Sequence, residues 1–270
     1  MSYRGFIPLM CSAAGLQYKL NVLNDHLNVP IRILEIGVMD GLTTIPLAIN
    51  LKMMNVPYIY EGIDIWIRNS VLEHTNNIIG LRDHLRFHEI NSLEFFKELD
   101  KEKATAARGW FPYDIVLIDG DHNYETVSQE CKWIKNFIHS DTVIIFDDYH
   151  GRGGDTDTYY ADHKDYKNVA HSTPSSVNSP RHGVRSAVDE FLEETEYYGF
   201  GLELDPGGSM SSPIVVISPD NKVVPAILEE LSEDFSEAKS ALEKLREQAL
   251  SNGRSLVALT EEQASGVWNV

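Results

Sequence analysis

Paired acidic residues follow two apolar runs that lie one after the other in the middle of the chain. The first run ends in Asp119 and Asp121, and the second ends in Asp147 and Asp148. The segment between them is long enough for one crossover helix. We therefore predict two parallel strands whose carboxyl ends meet at one edge of a sheet. Ligands of open α/β sheets bind at that edge.

Four carboxylates at one sheet edge would repel one another strongly. A bound divalent cation relieves this repulsion, and carboxylate oxygens are ligands that suit magnesium. The alternative is that each aspartate caps a turn or a helix start, as Asp often does after a strand. Because both strand ends carry acidic pairs, the pattern favours a metal or catalytic cluster.

A second candidate site lies at the turn after the first strand, where the sequence reads Glu35, Gly37 and Gly41 with one and three residues between them. Such a turn lets a ligand approach the backbone and meet a helix N-terminus. The spacing differs from the dinucleotide-binding glycine fingerprint. Asp64 ends the second strand, where a carboxylate commonly accepts two ribose hydroxyls. A helix cap is the alternative for Asp64.

The elements that position these residues alternate between strands and helices. Besides the two acidic strands, we predict strands at residues 31–36, 58–64, 85–90, 200–204 and 213–217. The last two are joined by a glycine-rich turn, so they should form an antiparallel hairpin. The predicted fold class is α/β, with a doubly wound, Rossmann-like, mostly parallel sheet of seven strands.

Helical segments flank this sheet at both ends of the sequence. Residues 1–12 look irregular, and Ser12 is a candidate cap for a helix over residues 13–27. Its predicted buried stripe is Leu16, Leu20, Leu23 and Leu27. The predicted domains are an N-terminal helical segment (1–30), the sheet domain (31–218), and a C-terminal helix with a polar tail (219–270).

The C-terminal helix, predicted from Pro225 to Leu250, carries leucines and other apolar residues at alternating three- and four-residue steps. A seam of this kind predicts a coiled coil that makes a homo-oligomer. Packing of the helix on its own domain, against the predicted leucine stripe, is an equal alternative. Both readings remain open, because three heptads are near the minimum for a coiled coil.

Residues 150–182 form a polar segment directly after the second acidic strand. Loops of this length inside a compact domain are usually functional or disordered. Its position over the candidate site predicts a lid that binds an acceptor molecule. A disordered insertion is the alternative.

The composition limits the class of protein. The chain has 270 residues, of which 43% are hydrophobic, enough for one large α/β domain or two small ones. A net charge of -18 argues against electrostatic binding to nucleic acid or to an anionic membrane. The 2 cysteines indicate no disulfide framework. No signal peptide or membrane span is recognisable, so we expect a cytoplasmic protein.

Together these motifs resemble the class I S-adenosylmethionine-dependent methyltransferases. Residues 35–41 look like the first motif of that fold. Asp64 matches its ribose-binding acid, and Ser92 lies where the adenine is usually met. Ser92 or Asn91 would otherwise cap the following helix. The resemblance covers roughly residues 31–217.

The acidic strand ends are similar to those of the divalent-metal O-methyltransferases. Residues 119–124 and 147–149 most resemble the methyltransferase 24 group, in which an Asp-Gly-Asp-His-x-Tyr turn precedes an Asp-Asp-Tyr strand end. Asp148 stands where the catechol type has Asn, and His122 where that type has Lys. The Asp147-Asp148 pair favours a sugar or glycoside acceptor over a phenol.

The resemblance implies metal-assisted O-methyl transfer to a small hydroxylated molecule. Asp119, Asp147 and Asp148 would bind a divalent ion, of the magnesium type, that lowers the pKa of the acceptor hydroxyl. Asp121 or His122 would accept its proton. The cofactor, S-adenosylmethionine, would be bound by Glu35, Gly37, Gly41, Thr43, Asp64, Ser92 and Asp119.

Two other functions remain as alternatives. A NAD-dependent oxidoreductase shares the sheet and the acidic ribose residue, but it would require the glycine fingerprint that this chain lacks. A non-catalytic nucleotide- or metal-binding assembly module would recruit a partner through the C-terminal helix. That module would bind a cofactor without turning it over.

Overall fold

The computed structural model describes residues 6–24, 29–78, 80–106, 111–175, 179–204 and 212–229. The helices in this part of the chain are α1 (Phe6–Leu23), α2 (Thr44–Met53), α3 (Asn69–Asn77), α4 (Ser92–Thr105), α5 (Tyr124–Ile134), α6 (Arg152–Asp155) and α7 (Gly183–Thr195). The strands are β1 (Ile31–Ile36), β2 (Tyr58–Asp64), β3 (Leu85–Glu89), β4 (Tyr113–Ile118), β5 (Ile138–Phe146), β6 (Tyr198–Leu204) and β7 (Ser212–Ser218).

The strands form a 7-stranded sheet in the order β3-β2-β1-β4-β5-β7-β6. The first five are parallel, whereas β7 runs antiparallel to both β5 and β6. This confirms the predicted fold class, including the antiparallel pair at the end. The register aligns the strand ends, since Ile36 pairs with both Ile63 and Ile118, and Ile118 pairs with Phe146. The acidic residues therefore leave the sheet at one edge.

Helices cover both faces of the sheet, and each face has its own apolar core. One core joins the sheet to α1, α2 and the helical residues 223–229, through side chains that include Leu9, Leu47 and Ile227. The other joins it to α4, α5 and α7, through residues such as Phe96 and Val188. The central strands are buried on both sides, which explains their nearly continuous apolar sequences.

The N-terminal helix differs from the prediction. It begins at Phe6, so Ser12 is a buried residue inside the helix and does not cap it. The predicted stripe is wrong at Leu23, which is 79% exposed, whereas Leu16 packs against the core. The buried face consists of Leu9, Met10, Ala13, Ala14 and Gln17. Apolar residues occur all round this helix, so periodicity could not select the side that meets the sheet.

The C-terminal helix is described only at its start. Residues 223–229 are helical, and Leu228 packs against the same core as α1. The predicted apolar seam from Leu231 onward lies outside the described residues, as does Leu27. Its role in oligomerisation remains a prediction. No helix in the described ranges combines the length and the apolar character that crossing a membrane requires.

Candidate active site

The β1–α2 turn is packed tightly against the end of β4. Gly37 has φ +100°, and a Cβ at this position would lie 2.0 Å from the carbonyl oxygen of Asp119. Its amide also donates to the carbonyl of Ile63, at 2.8 Å. Only glycine permits this approach. Gly41, also at positive φ, faces Val71 of α3.

Asp64 fixes the same turn from the end of β2. Its Oδ2 accepts a hydrogen bond from the amide of Met39 at 2.7 Å, and its Oδ1 accepts one from Trp66 at 2.9 Å. Burial raises the pKa of the Asp64 carboxyl, although these bonds oppose the effect. Each carboxylate oxygen keeps acceptor capacity for a ligand hydroxyl.

The main cleft opens at the carboxyl edge and holds about 360 Å³ of empty space. It brings together four of the predicted residues, Gly37, Asp64, Ser92 and Asp121. Its apolar lining consists of Ile36, Ile63, Ile65 and Ile90, and its polar lining also includes Asn91, Thr126, Glu130, Tyr160 and Thr173. An apolar cleft with a few convergent polar groups is a typical small-molecule site.

A smaller cleft of about 220 Å³ adjoins the glycine turn and contains the predicted residues Glu35, Gly37 and Thr43. Glu35 is buried, and Thr44 and Tyr60 donate hydrogen bonds to one of its oxygens. Burial raises the pKa of Glu35 to about 7 despite these bonds. The buried Thr43 hydroxyl has no hydrogen-bond partner among the described residues.

A buried polar network lies behind the main cleft. Asn91 caps α4 by accepting from the amide of Leu93 at 2.9 Å, and the Ser92 hydroxyl donates to Oε1 of Glu130 at 2.5 Å. Burial raises the pKa of Glu130 to about 8. We did not predict Glu130. The available signal was an acid at an inward position of α5, where Val127 and Cys131 are also buried.

Asp121 belongs to the main cleft. Its Oδ2 accepts from the hydroxyl of Thr126 at 2.8 Å, and its side chain is almost fully buried. Burial raises the pKa of Asp121, although its hydrogen bonds lower it in part. Its position beside Ser92 and Asp64 indicates contact with whatever occupies the cleft.

His122 lies between two of the predicted metal ligands. Its Nδ1 is 2.9 Å from Oδ2 of Asp148, and its Nε2 is 3.5 Å from Oδ1 of Asp119. Burial disfavours the charged imidazole, but the two carboxylates outweigh that effect and raise the pKa of His122 well above its ordinary value. Burial, and then the charge of Asp147, raise the pKa of Asp119.

This arrangement does not fit a metal ion as it stands. Within the described ranges, no group of three His, Cys, Asp or Glu side chains is placed so that it could hold one. Asp119 interacts with Asp147, while Asp148, at φ +52°, pairs with His122. The imidazole therefore neutralises carboxylates that a cation was expected to bridge. Metal binding at these residues remains a prediction.

The segment after β5 packs over the same sheet edge. The Tyr160 hydroxyl donates to the carbonyl of Gly120 at 2.7 Å, and the Thr158 amide donates to the carbonyl of His122 at 2.9 Å. Asp157 anchors the segment by accepting from the amides of Tyr124 and Gly183, each at 2.8 Å. Its role as a lid remains a prediction.

Comparison with known proteins supports the resemblance. Residues 34–149 match a family model described as a methyltransferase domain. No curated protein sequence gives a significant match. The fold is similar to that of an O-methyltransferase from Bacillus cereus, solved with S-adenosylhomocysteine, at 18% identity and a TM-score of 0.50 over 80% of each chain.

Two further solved structures are more distant. Human methyltransferase-like protein 13 with S-adenosylhomocysteine is 12% identical, with a TM-score of 0.48 over 86% of this chain and 93% of that one. The MycE methyltransferase of mycinamycin biosynthesis, with Mg and S-adenosylhomocysteine, is 20% identical, with a TM-score of 0.32 over 46% of this chain. The match spans only 31% of the MycE chain.

The sheet order, the glycine turn and the family match agree on one interpretation. The predicted resemblance to class I methyltransferases is confirmed by the match to a methyltransferase family model and by the similar fold. Residues 34–149 are therefore similar to the methyltransferase domain that this family model describes.

Proposed function

We propose that this chain transfers a methyl group from S-adenosylmethionine to a hydroxyl oxygen of a small molecule. The observation that carries this proposal is the placement of His122 between Asp148 and Asp119, at the sheet edge that also holds the main cleft. A hydroxyl becomes a better nucleophile when a nearby group accepts its proton. A hydrogen-bonded imidazole and carboxylate supply such a group.

The cofactor would bind across the two clefts. It supplies an electrophilic methyl group when bound. The Asp64 carboxylate would accept from the ribose hydroxyls, and the Gly37 turn would allow the amino-acid portion to approach the backbone. Ser92 and the isoleucines of the main cleft would surround the purine. In line with this, the main cleft combines an apolar lining with polar groups at one end.

Of the two predicted bases, His122 is the one beside the solvent-facing carboxylate, so it would act through Asp148. Asp121 is held by Thr126 inside the main cleft. His122 contacts Asp148, whose side chain is 33% exposed and so borders the solvent from which an acceptor enters. The Asp148 carboxylate, held beside the charged His122, would accept the acceptor proton and hold it after transfer. Asp119 would keep the imidazole in place from the other side.

Metal assistance is a separate part of the proposal. The donor chemistry supports it, because three carboxylates lie at the ends of two adjacent strands. The present arrangement around His122 does not enclose an ion. We assign no step to a metal, and the experiment below separates the two routes by adding magnesium or a chelator.

The acceptor we propose is a sugar or glycoside, with a phenol as the second candidate. The preference rests on the Asp147-Asp148 pair alone. Residues 150–182 would cover the acceptor, since Tyr160 and Thr158 already attach this segment to the end of β4. A homo-oligomer formed through the C-terminal helix remains part of the prediction.

The test is transfer of labelled methyl from S-adenosylmethionine to a panel of sugars, glycosides and catechols. Wild type is compared with His122→Gln, and with His74→Gln as a matched control, because His74 is exposed on α3. We expect transfer to a hydroxyl oxygen, loss in His122→Gln and retention in His74→Gln. Each reaction is run with magnesium and with a chelator. Methylation of carbon or nitrogen would overturn the proposal. Equal rates with magnesium and with chelator would show that a metal takes no part in the reaction.

A further inference from the structure

Glu130 is a fully buried acid with an unused hydrogen-bonding atom. Its exposure is 0%, and it lies on the inward face of α5. Oε1 accepts from the Ser92 hydroxyl, but Oε2 has no hydrogen-bond partner among the described residues. Leaving such an atom buried and unpaired is costly, so native proteins rarely do so without a reason. A ligand that supplies a donor is one such reason.

The surroundings of Glu130 indicate what kind of donor fits. Glu130 lines the main cleft together with Asn91 and Ser92. The four isoleucines that form the apolar part of the lining lie in β1 and β2 or directly after β2 and β3. Apolar walls suit the faces of a flat ring, and a polar end suits a group on the edge of that ring. The cleft is therefore matched to an aromatic heterocycle that carries an N–H group.

We propose that Glu130 recognises the exocyclic amino group of the cofactor's purine, with Oε2 accepting one of its N–H bonds. This inference rests on the proposed function, in which the main cleft binds S-adenosylmethionine. Ser92 acts as a positioning residue, because its hydroxyl holds the other oxygen of the same carboxyl group.

The amino group is the donor that remains after the other parts of the cofactor are assigned. Asp64, at the end of β2, is suited to the ribose hydroxyls. The glycine turn and the cleft with Glu35 are suited to the amino-acid portion. Glu130 lies on α5, which follows β4, on the side of the cleft that holds Ser92. The purine amine is the donor of S-adenosylmethionine not yet matched to an acceptor.

The experiment compares two ligands by calorimetry on the full chain. One is S-adenosylhomocysteine, and the other is its analogue with hydrogen in place of the 6-amino group. We expect wild type to bind the analogue about tenfold more weakly, because the analogue leaves Oε2 unpaired. A wild-type ratio near one would overturn the inference without any variant.

Substitutions then assign the discrimination to this side chain. Glu130→Met has a similar length but no acceptor, and should bind both ligands with nearly equal affinity. Glu130→Gln keeps an acceptor oxygen and should retain part of the ratio. Glu125→Gln is the matched control, an exposed acid on the same helix, and should behave as wild type. A merely structural role for Glu130 would weaken both ligands together and leave their ratio unchanged.

The outcomes separate this inference from the proposed function. If wild type binds S-adenosylhomocysteine but Glu130→Met keeps the tenfold ratio, Glu130 does not recognise the amine and the proposed function stands. If Glu130→Met does not fold, Ser92→Ala serves instead, because it releases the carboxyl and should reduce the ratio. If wild type binds neither ligand, the proposed function fails, and the inference fails with it.

Discussion

Two groups of carboxylates lie at the same end of the sheet, and they are stabilised in different ways. At the ends of β4 and β5, Asp119 and Asp148 flank His122, so their charges are paired. Inside the main cleft, the Thr126 hydroxyl donates to Asp121 and the Ser92 hydroxyl donates to Glu130. Burial raises the pKa of both cleft acids, although the charge of His122 opposes this effect.

The two groups of carboxylates suit different functions. Charged, paired groups beside solvent suit proton transfer, because they can exchange a proton without being newly desolvated. Buried acids with spare acceptor atoms suit ligand recognition, because a ligand can satisfy them. Acidic residues at the ends of β4 and β5 and in α5 therefore serve two purposes, proton transfer and ligand recognition.

The largest expected effect comes from breaking the charged group. Asp148→Asn removes the charge that His122 contacts at 2.9 Å, and should lower kcat by about 10²-fold or more while the affinity for S-adenosylhomocysteine changes little. Steady-state methyl transfer and calorimetry measure the two effects. The matched substitution Asp121→Asn should act mainly on cofactor affinity. If both variants changed only the affinity for S-adenosylhomocysteine, the proposed difference between the two groups of carboxylates would be wrong.

The next largest effect comes from the β1–α2 turn, which packs against the end of β4. Gly37→Ala places a Cβ 2.0 Å from the carbonyl oxygen of Asp119, at a φ of +100°. We expect it to lower the free energy of unfolding by roughly 3 kcal/mol or more. Chemical denaturation measures the change. Gly201→Ala is the control, because its Cβ would meet nothing within 4 Å, and should stay within about 0.5 kcal/mol of wild type.

The smallest effect comes from the titration of Glu130 in the ligand-free chain, where no purine amine donates to Oε2. The pKa of Glu130 is raised from 4.5 to about 8 in the folded chain. Between pH 4.5 and pH 8, the folded state therefore keeps a proton that the unfolded state has already lost. Its contribution to stability is present below pH 4.5 and is lost as the pH rises through about 8. Glu130→Gln cannot titrate, and should therefore gain stability relative to wild type as the pH rises across this range, by roughly 1 kcal/mol or more.

Thermal unfolding of wild type and Glu130→Gln at several pH values measures this difference. Glu125→Gln provides the baseline for loss of one acidic charge on the same helix, at an exposed position. A difference between wild type and Glu130→Gln that stayed constant with pH would show that Glu130 is ionised in the folded chain.

The fold was largely predictable from the sequence, because its central strands are short apolar runs with sharp ends. β1 and β2 fall at the predicted residues, since both are bounded by turn-forming or acidic positions. β5 begins at Ile138, well before the apolar run of residues 143–146, and polar residues such as His139 and Ser140 occupy its first half. The prediction of the N-terminal helix was partly wrong, because its apolar residues are distributed too widely around the helix to define one face.

The site was predictable only in part, because its geometry depends on contacts between distant residues. Asp64, Ser92 and Asp121 meet in one cleft because strand ends align, which topology predicts. The Ser92–Glu130 bond joins residues on two helices, and no sequence pattern specified it. Likewise, the position of His122 between Asp119 and Asp148 depends on the backbone of Asp148 at positive φ.

The central claim is that the main cleft binds the S-adenosyl group, and calorimetric titration of the chelator-treated protein tests it most directly. S-adenosylhomocysteine is titrated first, then magnesium, with NAD as the control ligand. The account predicts saturable binding of S-adenosylhomocysteine and none of NAD. Failure to bind S-adenosylhomocysteine, or preferential binding of NAD, would contradict it and return the assembly module or the oxidoreductase as the better interpretation.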